Sequence, residues 1–132
     1  MNNSHRFIPL YLLLTLFLLG CSTNSNSQNP VNDINQAEMQ SMMKDPNVVV
    51  IDVRTPEEVA EGYIQGADKF INYNGSAFDT EISQLDKSKT YVIYCRSGGR
   101  SAKASQIFVD KGFTKVYNLL GGISNWTGTI TR

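Results

Sequence analysis

Along the chain, unbroken apolar runs of strand length alternate with stretches in which apolar positions recur at the spacing of a helix face. Val48-Val49-Val50-Ile51 and Tyr91-Val92-Ile93-Tyr94 are two such runs. A strand covered by helices on both faces reads this way, so both are expected at the centre of a parallel sheet. Phe70-Ile71 and Val116-Tyr117-Asn118-Leu119 are weaker strand candidates, and a first strand is expected just ahead of Asn35.

Between these runs lie helix signals. Asn35 with Glu38 and Thr55 with Glu58 have the spacing of capping boxes, and Pro56 stands at the first helical position of the second. A third helix is expected over Phe78 to Leu85, and a fourth from about Ser101 to Lys111, closed by Gly112 as a left-handed cap. Ala104, Ile107 and Phe108 give the fourth its buried face, and Met39, Met42 and Met43 read as the packing face of the first. Asn72, Asn74 and Asn118 read as strand-end and turn residues. The alternation describes an α/β domain with Cys95 at the end of a central strand, where ligands of open α/β sheets sit.

The start of the chain has a different pattern. Phe7 to Leu19 is almost wholly apolar, preceded only by His5 and Arg6 as basic groups and followed by Gly20-Cys21. The run is shorter than the roughly 20 residues of a membrane span and matches a secretory signal. Leu18-Leu19-Gly20-Cys21 resembles the lipobox of bacterial lipoproteins, which implies cleavage before Cys21 and a lipid on its sulfur. Ser22 to Pro30, rich in Ser and Asn, reads as a flexible tether. The expected organisation is a leader over 1–20, a tether over 21–30 and one domain over 31–132, held in the cell envelope on the outer face of the cytoplasmic membrane or on the outer membrane facing the periplasm.

The 132 residues, 41% of them hydrophobic and 18% charged, leave room for one domain. Basic and acidic residues number 12 each, and losing Arg6 with the leader leaves 11 against 12. No field of either sign draws in nucleic acid. Of two cysteines, one would carry lipid, so Cys95 remains a single free thiol with no disulfide partner.

Cys95-Arg96-Ser97-Gly98-Gly99-Arg100-Ser101 joins a buried strand to a helix. Gly98 and Gly99 permit a sharp turn that points backbone N–H groups at one place. Such a nest, with the positive end of the following helix, stabilises a thiolate or persulfide anion and lowers the thiol pKa. Arg96 and Arg100 add two permanent charges beside the nest, suited to an anionic donor.

From Val31 to Trp126 the chain resembles the rhodanese family. Asp52-Val53-Arg54-Thr55-Pro56-Glu57-Glu58 is similar to that family's early strand-to-helix segment, and Glu61 to Ala67 to the turn after it. Cys95 to Ser101 is similar to the active loop, and Leu119 to Ile123 with Trp126 to the closing segment. Tyr63 and Gln65 depart from the pattern, standing where histidine and proline are common. The resemblance implies a single domain with a mostly parallel central sheet and helices on both faces. It also implies a sulfurtransferase in which Cys95 takes sulfur from thiosulfate or a similar anionic donor, forms a persulfide, and passes it to cyanide or a thiol, with a thioredoxin-like or other thiol protein as a further partner. Arg96, Ser97, Gly98, Gly99, Arg100 and Ser101 would bind the donor, while Asp52, Arg54, Glu58 and Trp126 would be structural, with Asp52 and Arg54 pairing to helix residues such as Glu58.

Two other functions are carried alongside: a sulfur carrier or interaction module without turnover, and a phosphatase-like or arsenate-handling enzyme. The CxxxxR spacing argues against the last, because the family's phosphatase relatives have a loop one residue longer. The sole histidine, His5, lies in the leader, so no triad or zinc site is expected, and no cofactor is implied.

Overall fold

A computed structural model describes residues 30–132; the leader and Cys21, with most of the tether, lie outside the described residues. In chain order the elements are β1 (Asn32–Ile34), α1 (Gln36–Met42), β2 (Val48–Asp52), α2 (Pro56–Ala60), β3 (Tyr63–Ile64), β4 (Lys69–Phe70), α3 (Phe78–Ser83), β5 (Thr90–Tyr94), α4 (Gly99–Asp110), β6 (Val116–Leu119), a 3-10 turn (Ile123–Asn125) and β7 (Ile130–Thr131). The main sheet runs β1-β6-β5-β2-β4, all neighbours parallel. The two apolar runs, β2 and β5, lie side by side near its middle, Val48 opposite Thr90 through Asp52 opposite Tyr94. β3 and β7 form a separate antiparallel pair.

Successive side chains of a strand point to opposite faces, and the core divides accordingly. Ile51, Tyr91, Ile93 and Cys95 pack with Phe78 and Ile82 of α3, Ala104, Phe108 and Val109 of α4, and Phe113. Val50, Val92 and Tyr94 pack on the other face with Met39 of α1, Ile64 and Leu119, and with the partly buried Ile123 and Trp126. The domain is thus a mostly parallel α/β sheet covered on both sides. Cys95, the first residue past β5, belongs to the α4 face, so the helix after the loop also roofs the sulfur.

Both capping boxes form: Asn35 and Thr55 accept from the amides of Glu38 and Glu58, whose carboxylates bond back to the cap amides. Some boundaries differ from expectation. The weak strand near Phe70 pairs through Lys69–Phe70 instead of Phe70-Ile71, and α3 stops at Ser83 instead of Leu85. α4 begins two residues earlier than expected, at Gly99, because Gly98 takes a φ of 104° and turns the chain directly into the helix. β3, β7 and the 3-10 turn were not foreseen, since two- and three-residue elements are too short to display a period.

Candidate active site

Cys95 leaves β5 at the carboxyl edge of the sheet. Its carbonyl and that of Arg96 are both occupied from outside the loop: the Ile123 amide donates to the first at 2.9 Å, and the Ser124 amide to the second at 3.0 Å. The closing segment can approach this closely only because Gly122 has no side chain; a Cβ there would collide with both carbonyl oxygens. With the carbonyls turned away, the amides that follow are free to face the thiol. Gly98 N–H donates to Cys95 Sγ at 3.1 Å, and the Ser101 hydroxyl lies 3.4 Å from the same sulfur.

These neighbours decide the charge state. Burial alone would push the Cys95 thiol up, but the Ser101 hydroxyl and the amides of Ser101, Gly98 and Ser97 together hold it below the ordinary value. Cys95 is 1% exposed, while Arg96, Ser97 and Gly99 beside it are exposed. The sulfur is therefore ringed by donors and reachable only by something small.

The loop residues named from sequence do not share one role. Ser97, Gly98 and Ser101 meet the sulfur. Gly99 has open space where a Cβ would be and an ordinary helical backbone, so Gly98 alone, and not both glycines, carries the turn. Arg96 is exposed and has no side-chain hydrogen bond or ion pair among the described residues. Arg100 is already engaged: Nη1 and Nη2 bind Glu58 Oε2 and Oε1 at 2.7 and 2.8 Å, a two-pronged pair that holds Glu58 down at about 2.

That pairing corrects the role expected for Glu58. Arg54 does not reach its carboxylate but binds Asp52 through Nε and Nη2, at 3.0 Å to Oδ1 and 2.7 Å to Oδ2. The remaining Arg54 protons go to the backbone carbonyls of Glu58 and Gly62 at 3.2 and 2.8 Å. Buried Asp52 needs a charge of opposite sign beside it, and Arg54, two residues on, is the nearest; this leaves Glu58 free to turn toward α4. Asp52 and Arg54 knot the end of β2 to α2 and to the turn before β3. Trp126 packs on the α1 face. Tyr63, one of the two departures from the family pattern, sets its ring edge-on to Phe70 at 4.8 Å.

One site residue escaped the sequence reading. Asn118, taken for a turn residue, is 2% exposed in β6, accepts from Ser101 Oγ at 2.6 Å and donates to Asp33 at 2.9 Å. The signal was there: an amide inside the apolar run Val116 to Leu119 must find partners in the interior.

With this geometry in place, comparison with known proteins is direct. Residues 35–129 match the family model of the rhodanese-like domain. A sulfurtransferase of Allochromatium vinosum is 35% identical over 97 residues, covering 73% of this chain and 88% of that protein. Thiosulfate sulfurtransferase GlpE of Stutzerimonas stutzeri is 30% identical over 92 residues, 70% of this chain and 82% of its own. Among solved structures, a rhodanese-like domain protein from Staphylococcus aureus superposes with a TM-score of 0.65 at 30% identity, covering 74% of this chain and 93% of that one. The chain belongs to the rhodanese-like family, as an enzyme of the sulfurtransferase type.

Proposed function

We propose that the protein moves sulfane sulfur from thiosulfate, or a donor of similar size and charge, to a thiophilic acceptor through a persulfide on Cys95. The Cys95 thiolate attacks the outer sulfur of the donor. A new S–S bond forms as the donor's own S–S bond breaks, and sulfite leaves with the electron pair. Cyanide or a thiol then attacks the outer sulfur of the persulfide, and Cys95 departs as the thiolate it was before. The observation that carries this reading is the ring of amides and hydroxyl around an otherwise buried sulfur, because such a ring stabilises an anion at every stage of the cycle. No base is needed beside the thiol when the main chain lowers its pKa.

The donor's negative charge is met by Arg96, whose guanidinium has no partner among the described residues, whereas Arg100 serves to fix the loop. The 1% exposure of Cys95 favours small donors and acceptors over bulky ones. A thiol protein of thioredoxin type is the larger alternative acceptor. The lipobox-like sequence further supports attachment through a lipid on Cys21, which would place the domain outside the cytoplasm on the envelope.

The test is thiocyanate formation from thiosulfate and cyanide by the purified protein. Turnover is expected, and Cys95→Ser should abolish it with the fold intact by circular dichroism. Absence of turnover with thiosulfate, polysulfide and persulfide donors alike would overturn the reading.

A further inference from the structure

The hydroxyl of Ser101 has one proton and three acceptors around it: Asn118 Oδ1 at 2.6 Å, the Gly98 carbonyl at 3.1 Å, and Cys95 Sγ at 3.4 Å. Which of them takes it is decided two residues away from the sulfur. Asp33 is a carboxylate at the exposed edge strand β1 and can only accept, so the amide of Asn118 must present Nδ2 to it, at 2.9 Å. The other end of that amide, the oxygen, is then forced toward Ser101. The short contact draws the Ser101 proton toward Asn118, so the sulfur gains it only in competition with that oxygen. A neutral thiol is content there, since its S–H can donate to Oγ. A thiolate is not, and gains the Ser101 proton only by taking it from Asn118.

We propose that Asn118, oriented by Asp33, sets the protonation balance of Cys95 by competing with it for the single proton of Ser101. Asn118 is thus a positioning residue that acts through Ser101. The charges elsewhere around the sulfur are untouched by this relay: Arg100 of α4 is paired with Glu58 of α2, Asp52 of β2 with Arg54, and Arg96 is exposed. Tyr94 of β5 gives its hydroxyl to the opposite face, where it accepts from the Ile64 amide. The inference concerns the free thiol and does not require that sulfur transfer be the activity.

The experiment follows alkylation of Cys95 by iodoacetamide across a pH series in the full chain, resolved peptide by peptide so that Cys21 does not contribute. Three variants separate the causes. Asn118→Ala removes the competing oxygen. Asp33→Ala lets the Asn118 amide turn over and offer its NH2 to Ser101, which frees the same proton. Asp33→Asn removes the same charge as Asp33→Ala but keeps an oxygen to hold the amide in place. The profile should move to lower pH in the first two, with alkylation below the midpoint about five-fold faster, while Asp33→Asn stays within about twofold of the parent. Unmoved profiles in Asp33→Ala and Asn118→Ala, or a shift in Asp33→Asn as large as that in Asp33→Ala, would overturn the proposal, the latter by showing that net charge alone is at work. A shifted profile in a protein with no sulfurtransferase turnover would refute the proposed function and leave this relay standing.

Discussion

Each of the two arginines in the loop has a separable task. Arg96 is exposed and has no partner among the described residues, so Arg96→Ala should raise the KM for thiosulfate about tenfold and leave the melting temperature alone. Arg100 has both prongs in Glu58, so Arg100→Ala should cost about 1 kcal/mol of stability, seen as a lower melting temperature. A row of letters shows that two cations flank a nest and not that one is already engaged by an acid 42 positions earlier. A third residue without a functional group matters as much. In Gly122→Ala, a methyl group would press on the carbonyls of Cys95 and Arg96 from a φ of 55° that L residues avoid, prising the closing segment off the loop. Turnover should fall by about two orders of magnitude with kcat affected more than KM, since the amide ring would lose its alignment while Arg96 remains. Wild-type kcat in that variant would contradict the role given to the segment.

At the scale of elements, α2 is held to α4 by the Glu58 pair and to the end of β2 by Arg54. The folded-state value of Glu58, about 2, lies below its ordinary 4.5, so the stabilisation is complete above the ordinary value and is lost as the pH falls from there toward 2. Glu58→Gln should therefore lower the melting temperature by a few degrees at neutral pH and flatten the acid limb of the stability curve, measured by thermal denaturation across that window. An unchanged acid limb would show the pair to be idle. What the sequence made legible follows from the same local physics. The runs at β2 and β5, both capping boxes and the stop near Gly112 depend on residues close in the chain, and all of them stand. Asn118, Gly122 and the partner of Glu58 were hidden because their partners are far away in sequence: Asn118 meets Ser101 from 17 positions off and Asp33 from 85. Such meetings become visible only once parallel strands set the register.

For the whole molecule, the sheet delivers one thiol to its carboxyl edge, roofs it with α4, and seals the loop from the far side with the segment after β6. Almost every polar group around the sulfur is a donor or holds one in place, which is the arrangement an anionic sulfur requires. The proposed lipid on Cys21 is tested separately. Full-length protein expressed in a bacterial host should partition with membranes, and Cys21→Ser should release it to the soluble fraction; membrane association unaffected by that change would contradict lipid attachment. The chemistry itself is tested most directly by intact-protein and peptide mass spectrometry after brief exposure to thiosulfate without any acceptor. One added sulfur atom is expected on the Cys95 peptide, removed by cyanide and absent in Cys95→Ser. An unmodified Cys95 under conditions in which the protein is folded would contradict it.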